Sequence, residues 1–251
     1  MENLTTILQQ YTPISLEQMD HVQLLDRVDT KFVFNQEQLS EYLARLSDKY
    51  LILAIDGKIL HPYETLYFDT PAYNLYFDHH NGHKNRYKLR FRKYVNSGIS
   101  FFEVKSKTNA RRTVKRRISV SNISESLSTP LSQFVCECTH DTCQDYVPAL
   151  RVQFDRITLV NMLDSERLTI DINLRYGDGA GERSIDKIVI VEVKQQKHAI
   201  SPFRQLMREN HQHKFYLSKY CLGITCLNES IKKNRFKRRL LALKKLGYDV
   251  S

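Results

Sequence analysis

At 251 residues the chain is long enough for one large domain or two small ones, and its 41% hydrophobic and 26% charged residues are ordinary for a globular protein. The apolar runs, such as Leu51-Ile52-Leu53-Ala54-Ile55, stop far short of a membrane span, and Met1-Glu2-Asn3-Leu4 lacks the basic and apolar regions of a secretory signal, so a cytoplasmic protein is expected. The net charge of +10 sits mostly at one end: residues 231–251 hold eight Lys/Arg and one Asp, and without them 30 basic residues face 27 acidic ones, which argues against specific nucleic-acid binding through bulk charge.

Residues 2–20 read as helical, with Ser15 and Gln18 at capping-box spacing. From Leu25 to Phe34 the chain alternates as a strand does: Arg27, Asp29 and Lys31 on one face, Val28, Thr30, Phe32 and Phe34 on the other. Asn35 caps a helix predicted through Asp48, with Leu39, Leu43 and Leu46 as its stripe. Tyr63 to Asp69 is a strand stopped by Thr70-Pro71, and Tyr73 to Gly82 is expected to be a connection. Arg86 to Tyr94 is the most marked stretch, with Arg86, Lys88, Arg90 and Arg92 on one face and Tyr87, Leu89 and Phe91 on the other. Neighbouring charges on that face lie roughly 7 Å apart and repel by about 2 kcal/mol at an effective dielectric of about 20. Such a face either guards an edge strand in water or looks into a cavity that holds a polyanion.

Phe101 to Lys107 repeats the pattern, Glu103, Lys105 and Lys107 alternating with Phe102 and Val104, and Thr113 to Val120 places Lys115 and Arg117 opposite Val114, Arg116 and Ile118. Residues 121–149 read as a polar connection with a short helix. Arg151 to Leu159 and Leu168 to Leu174 are strands, the second with Thr169, Asp171 and Asn173 on its polar face; Gly177 to Gly181 is a loop. Ile188 to Lys194 is a β-branched strand, and Ser201-Pro202 opens a helix toward Phe215. The tail from Ile231 is a basic amphipathic helix with Phe236, Leu240 and Leu243 as its stripe. It reads as a helix docked on the body or as a patch for the anionic lipid of a membrane surface, an acidic partner or an exiting product.

About eight strands, mostly an antiparallel meander, carry charge on one face, and neither a GxGxxG nor a GxxxxGK pattern occurs. The recurrence predicts an eight-stranded barrel with a polar interior, its outer apolar faces partly covered by the helices at 36–48 and 202–215. The inner cations would be Arg27, Lys31, Lys88, Arg90, Arg92, Lys105, Lys107, Lys115, Arg117, Arg156, Arg167 and Lys194, and the inner carboxylates Asp29, Glu103, Asp171 and Glu192. Arg156 is the least clean member, because it shares a face with Phe154 and Thr158. Buried charges need partners or ligands. Excess positive charge with a few carboxylates suits a phosphate chain with a hard divalent cation.

Six segments then fall in the order of a known family: Arg27-Val28-Asp29-Thr30-Lys31-Phe32, Tyr67-Phe68-Asp69-Thr70, Lys88-Leu89-Arg90-Phe91-Arg92-Lys93-Tyr94, Phe102-Glu103-Val104-Lys105, Val191-Glu192-Val193-Lys194 and Ser218-Lys219-Tyr220. Over about residues 20–225 the chain resembles the VTC-type polyphosphate polymerase domain in its stand-alone bacterial form, within the CYTH-like or triphosphate tunnel superfamily. The resemblance implies an α+β fold, an antiparallel eight-stranded tunnel barrel with flanking helices. Residues 1–251 would form a single domain, with 231–251 as a basic C-terminal helix. It implies catalytic roles for Lys31, Arg90, Arg92, Lys105, Lys115 and Glu192. It implies substrate contacts from Arg156, Arg167, Ser218 and Lys219, and the charged faces add Arg27, Lys88, Lys107, Arg117 and Lys194 as expected substrate contacts. The metal carboxylates would be Glu192, Glu103 and Asp171, holding Mn2+ or Mg2+, with ATP or another triphosphate and inorganic polyphosphate as partners.

Three positions depart from the family pattern. Asp29 stands where the superfamily often has a glutamate, Tyr216 where a lysine can occur, and His79 or His80 where an arginine is expected, unless Arg86 supplies it. A polymerase, a triphosphatase and a non-catalytic polyphosphate-binding module all remain compatible with the sequence. Cys136, Cys138, His140 and Cys143 read as reduced thiols on a connection, with a zinc loop as the other reading. His211 and His213 read as surface histidines near a helix end.

Overall fold

The structure, a computed structural model, describes residues 2–20, 27–109, 113–139, 145–197, 199–216 and 218–248. Pro13 interrupts the helix expected over 2–20: α1 (Glu2–Leu8) is followed by a short strand, β1 (Pro13–Ile14), and by α2 (Leu16–Asp20). The capping box forms, the Ser15 amide donating to Gln18 Oε1 at 3.0 Å and the Gln18 amide to Ser15 Oγ at 3.2 Å. Next come β2 (Arg27–Asn35), α3 (Leu39–Ala44), β3 (Leu51–Leu53), β4 (His61–Asp69), α4 (Asn74–Asn81), β5 (Arg86–Tyr94), β6 (Ser100–Lys107) and β7 (Thr113–Val120). After them follow α5 (Thr129–Thr139), β8 (Val147–Asn161), β9 (Glu166–Gly177), β10 (Glu182–Ile185), β11 (Ile188–Gln196), α6 (Pro202–Glu209), α7 (Lys219–Leu227) and α8 (Lys237–Lys245). Residues 25 and 26, read above as the start of the first long strand, lie outside the described residues.

Eight strands form one antiparallel path, β2-β11-β9-β8-β4-β5-β6-β7, with β3 and β10 added to β8 and β9 and β1 added to β3. The fold is α+β, a large antiparallel sheet with flanking helices. Among the described residues β2 and β7 do not pair, so the sheet is not closed as the expected barrel. Each facing edge supplies a reason. The free edge of β2 is taken by a crossing segment: Phe32 bridges to Lys214, and the Phe215 amide donates to the Lys31 carbonyl at 2.8 Å. The edge strand β7 is mostly exposed and carries Lys115, Arg116 and Arg117 in a row, like charges that deter strand addition.

The outer face of the sheet is buried as expected. Helices α1, α3 and α6 contribute Leu8, Leu43 and Met207 to a cluster with Phe32 and Phe34 of β2 and Val189, Val191 and Val193 of β11. On the other wing, α5 packs Leu131 and Val135 against Leu89, Phe91, Phe102 and Val104.

The inner face is not polar throughout, contrary to expectation. At one end α7 lies against it, burying Tyr220, Leu222 and Ile224 with Leu150, Val152, Leu174, Tyr176 and Ile190. Gly223 permits that approach, since a Cβ there would come within 2.4 Å of the Tyr176 ring and 2.6 Å of Leu150. The tail joins the same core through Ile231, Phe236, Leu240 and Leu243, so it is docked.

Candidate functional site

Directly paired residues of neighbouring strands share a face, so the ladders show what the fold brings together. On one wing Lys31 pairs with Glu192, Asp29 with Lys194, Lys194 with Arg167, and Asp171 with Arg156. On the other, Lys88 pairs with Lys105 and Lys105 with Lys115, Arg90 with Glu103 and Glu103 with Arg117, and Arg86 with Lys107. One face therefore carries all twelve expected cations, Arg156 included, and the residual apolar part of that face is filled by α7.

The carboxylates divide the cations among them. Glu103, 1% exposed, accepts from Arg90 Nε at 2.8 Å and Nη2 at 2.7 Å and ion-pairs with Lys115, while Arg92 Nε stands 3.9 Å away. Burial alone would raise this carboxyl, but Arg90, Arg92 and Lys115 pull it down to about 2. Asp171, 2% exposed, accepts a two-pronged contact from Arg156 at 2.6 and 2.9 Å and pairs with Lys219; against burial, Arg156 and Lys219 bring it to about 2. Glu192 pairs with Lys194 and stands 3.4 Å from Lys31. Against burial again, Lys194 and Lys31 hold it well below the usual carboxylate range.

Aromatic rings underlie the guanidiniums. Arg90 sits 5.8 Å from the Tyr67 ring centre, Arg92 5.8 Å and Arg156 4.8 Å from that of Tyr63, and Lys219 4.7 Å from that of Phe154. These rings were not expected at the site, although Tyr63 and Tyr67 alternate in phase with the polar face of β4.

A cavity of about 790 Å³ opens beside these clusters, and Lys31, Lys88, Lys105, Lys107, Glu192 and Ser218 are on its wall. Among the described residues neither Lys88 nor Lys105 has a hydrogen-bonding or ion-pair partner. Burial lowers the half-buried Lys88 ammonium to about 7, with Lys31, Lys105 and Arg90 adding to the effect. Lys105 is open to the cavity itself, yet partial desolvation by the walls, and then Lys31, lower it to about 8. Ser218 also caps α7, its hydroxyl accepting from the Cys221 amide at 3.2 Å, so one turn delivers Ser218 to the cavity and Lys219 to Asp171. Three expected substrate contacts are engaged elsewhere. Arg27 pairs with Asp29 at 3.2 Å near the surface, Arg117 stacks on Phe101 at 4.4 Å, and Arg167 donates to the Met19 carbonyl at 3.2 Å.

Helix α4 was read as a connection, and it matters here. His79 and His80 lie on the cavity wall. Burial, then Lys88 and Arg86, push the His79 imidazole down to about 2, so it is neutral; its Nε2 lies 3.2 Å from the Tyr87 carbonyl. The helix start is fixed by Asp69, whose carboxylate accepts from the amides of Thr70, Leu75 and Tyr76 at 2.7, 2.8 and 2.8 Å and from the Tyr220 hydroxyl. Asp69-Thr70 and Tyr220, widely separated motif residues, thus form one joint between β4, α4 and α7.

The oxygens of Glu103 and Asp171 are spent on basic side chains, and among the described residues no group of three or more His, Cys, Asp or Glu could form a metal cage. Cys136 is disulfide-bonded, not a reduced thiol, whereas Cys138, Cys221 and Cys226 are free; pairing depends on spatial approach, which spacing does not reveal. His140 and Cys143 lie outside the described residues. Among the described residues no helix is long and apolar enough to cross a membrane.

A family model described as the VTC domain matches residues 26–228. No curated protein matches the sequence. Among solved structures, a Bacillus halodurans protein proposed to be an adenylate cyclase aligns at 12% identity with a TM-score of 0.51, over 77% of this chain and 94% of its own. A proposed adenylyl cyclase from Hippeastrum, described as having a dominant triphosphatase activity, aligns at 15% identity and a TM-score of 0.46, over 78% and 94% of the two chains. At these identities the likeness concerns the fold, and only the first of the two is close enough to carry weight.

Proposed function

Because the chain belongs to the VTC domain family, its model matching residues 26–228, we propose that it is a metal-dependent polyphosphate polymerase. In this reading it transfers the γ-phosphate of ATP to a growing inorganic polyphosphate chain. The observation that carries the proposal is the pair Lys88 and Lys105, cations with no ion-pair or hydrogen-bonding partner among the described residues, on a cavity wall that also holds Lys31 and Glu192. Uncompensated positive charge in a partly desolvated site is costly, and a phosphate chain is the ligand that offsets it.

Phosphoryl transfer asks for positioning and charge neutralisation rather than a protein nucleophile. Arg90, Arg92 and Lys115 would grip the β- and γ-phosphates from the Glu103 side, and Lys31, Lys88 and Lys105 from the cavity side. Glu103 acts by fixing Arg90, its two short contacts leaving the guanidinium little rotational freedom. Arg156 and Lys219, held by Asp171, and Lys107, Lys194 and Ser218 would orient the acceptor chain. An oxygen of the acceptor's terminal phosphate bonds to the γ-phosphorus as the bond from that phosphorus to the β–γ bridging oxygen breaks, and ADP leaves.

Glu192 is the carboxylate that fits a divalent cation. It reaches the cavity, whereas Glu103 and Asp171 are sealed and committed. One protein carboxylate completed by substrate oxygens and water is the usual Mg2+ or Mn2+ arrangement with nucleotides. When bound, the cation would neutralise charge on the phosphate oxygens.

The test is to incubate the protein with ATP and Mn2+ and separate the products on a gel. Long polyphosphate is expected, and orthophosphate alone would make the protein a triphosphatase instead. The Glu192→Gln variant should fold and lose turnover by about 100-fold or more, the scale of a lost transition-state electrostatic contact; full activity would sink the assignment.

A further inference from the structure

The cavity wall includes a segment that lies beyond the family match. That match ends at residue 228, yet Arg235, Phe236 and Arg239 line the same cavity as Lys88 and Lys105. Their position is fixed by packing. Phe236 is 4% exposed, its ring edge-on to Tyr76 at 6.0 Å and to His80 at 5.2 Å. The Tyr76 hydroxyl donates to the Lys232 carbonyl at 3.0 Å, the Arg235 amide to His80 Nε2 at 3.3 Å, and the Arg235 guanidinium to the Asn81 carbonyl. Leu240 and Leu243 of α8 are buried in the core shared with α7.

The tail is therefore joined to the C-terminal end of α4, and its cations keep a fixed place at the rim. Arg239 stands 5.8 Å from the Phe236 ring centre and has no acidic partner among the described residues. The cavity counts seven Lys/Arg against the carboxylates Asp29 and Glu192, and two of the seven come from the tail. If the tail were only a docked support, no charge of its own would need to face the cavity; Lys237, Arg238 and Lys244, on exposed positions, show how the other basic residues of α8 are disposed.

We propose that Arg239, with Arg235, forms a second anion subsite at the cavity rim that engages the part of an inorganic polyphosphate chain extending past the central cations. The inference rests on the proposed function and adds chain length to it. A short phosphate oligomer is held by the central lysines and arginines alone, whereas a long chain is held at two places.

Binding of tripolyphosphate and of long-chain polyphosphate to the full-length protein and its Arg239→Gln variant, measured in metal-free buffer over a range of salt, tests this. Arg239 is the residue to change because Arg235 also secures α4; an unaltered melting temperature would show that the variant is folded. The variant should bind the long chain about two- to fivefold more weakly. Its log affinity should fall less steeply with log salt, by roughly 0.7 for one lost contact to a flexible polyanion. Tripolyphosphate affinity should be unchanged. Equal losses for both probes, or no loss for the long chain at any salt, would overturn the subsite while leaving the central site standing. Wild-type protein that binds neither probe would remove the proposed function, and the subsite with it.

Discussion

Glu166 shows how a single side chain away from the cavity links stability to pH. It is fully buried and accepts a hydrogen bond from Tyr50 at 2.7 Å, the same hydroxyl that accepts from the Phe203 amide at 3.1 Å. Burial raises its carboxyl to about 7, against about 4.3 in an unfolded chain. Between those values the folded state holds more protons than the unfolded one, so stability falls as pH rises. Comparing Glu166→Gln with wild type in denaturant melts, the gap should move by about 1–3 kcal/mol in favour of the variant between pH 5 and pH 8; parallel curves would show that Glu166 ionises normally. No sequence pattern marks Glu166, because its environment is assembled from β9, the chain before β3 and the start of α6. The cations of β5 are the opposite case. Arg86, Lys88, Arg90 and Arg92 were legible because strand alternation is local. What was not legible was which of them would meet a carboxylate, since Glu103 serves Arg90 while Lys88 is left without one among the described residues.

At the scale of elements, strands carried by alternation were found nearly to the residue: β5 spans Arg86–Tyr94 and β7 Thr113–Val120, the ranges read from charge and apolar phase. Helices α4 and α7 were missed for physical reasons. The start of α4 is held by Asp69, several residues upstream, and the preceding Tyr73 sits in left-handed backbone at φ 57°, so only its stop, Gly82 in left-handed backbone at φ 76°, is an ordinary local signal. Helix α7 buries every residue from Tyr220 to Cys226, so it has no polar face to give a helical period, and Gly223 in its middle reads as a breaker. That glycine gives a sharp test. In Gly223→Ala the new methyl meets Tyr176 and Leu150 rather than open space, so the variant should lose about 1–3 kcal/mol despite the better helix propensity of alanine. A thermal melt measures this, and a gain in stability would mean that α7 does not approach the sheet so closely.

For the whole molecule, the sequence indicated eight antiparallel strands with charge within and helices without; the eight-strand antiparallel path is there, but one helix, α7, packs against part of the inner face. The sequence did not indicate that β2 and β7 stay unpaired, because the covering of the β2 edge by Lys214 and Phe215 is a contact between residues some 180 apart in the chain. Nor did it indicate that the tail would help to wall the cavity, since basic residues with an apolar stripe look alike whether they face a ligand or bulk water. The crowding of lysines at the cavity has one more consequence, for the protein before it meets any substrate. Lys31, Lys88 and Lys105 face each other across the sheet with too few anions between them, so the ligand-free fold carries internal electrostatic tension. Mobile ions relieve such tension over about 10 Å at 0.1 M salt. Adding sodium chloride should therefore raise the melting temperature of the wild-type protein, and should raise that of Lys88→Met less, since that variant starts with less repulsion to screen. A melting temperature that falls with salt in both would place those charges in bulk solvent. Salt that stiffens the free protein would at the same time weaken its grip on a polyanion, so the conditions that make it most robust are those in which it holds its ligand least.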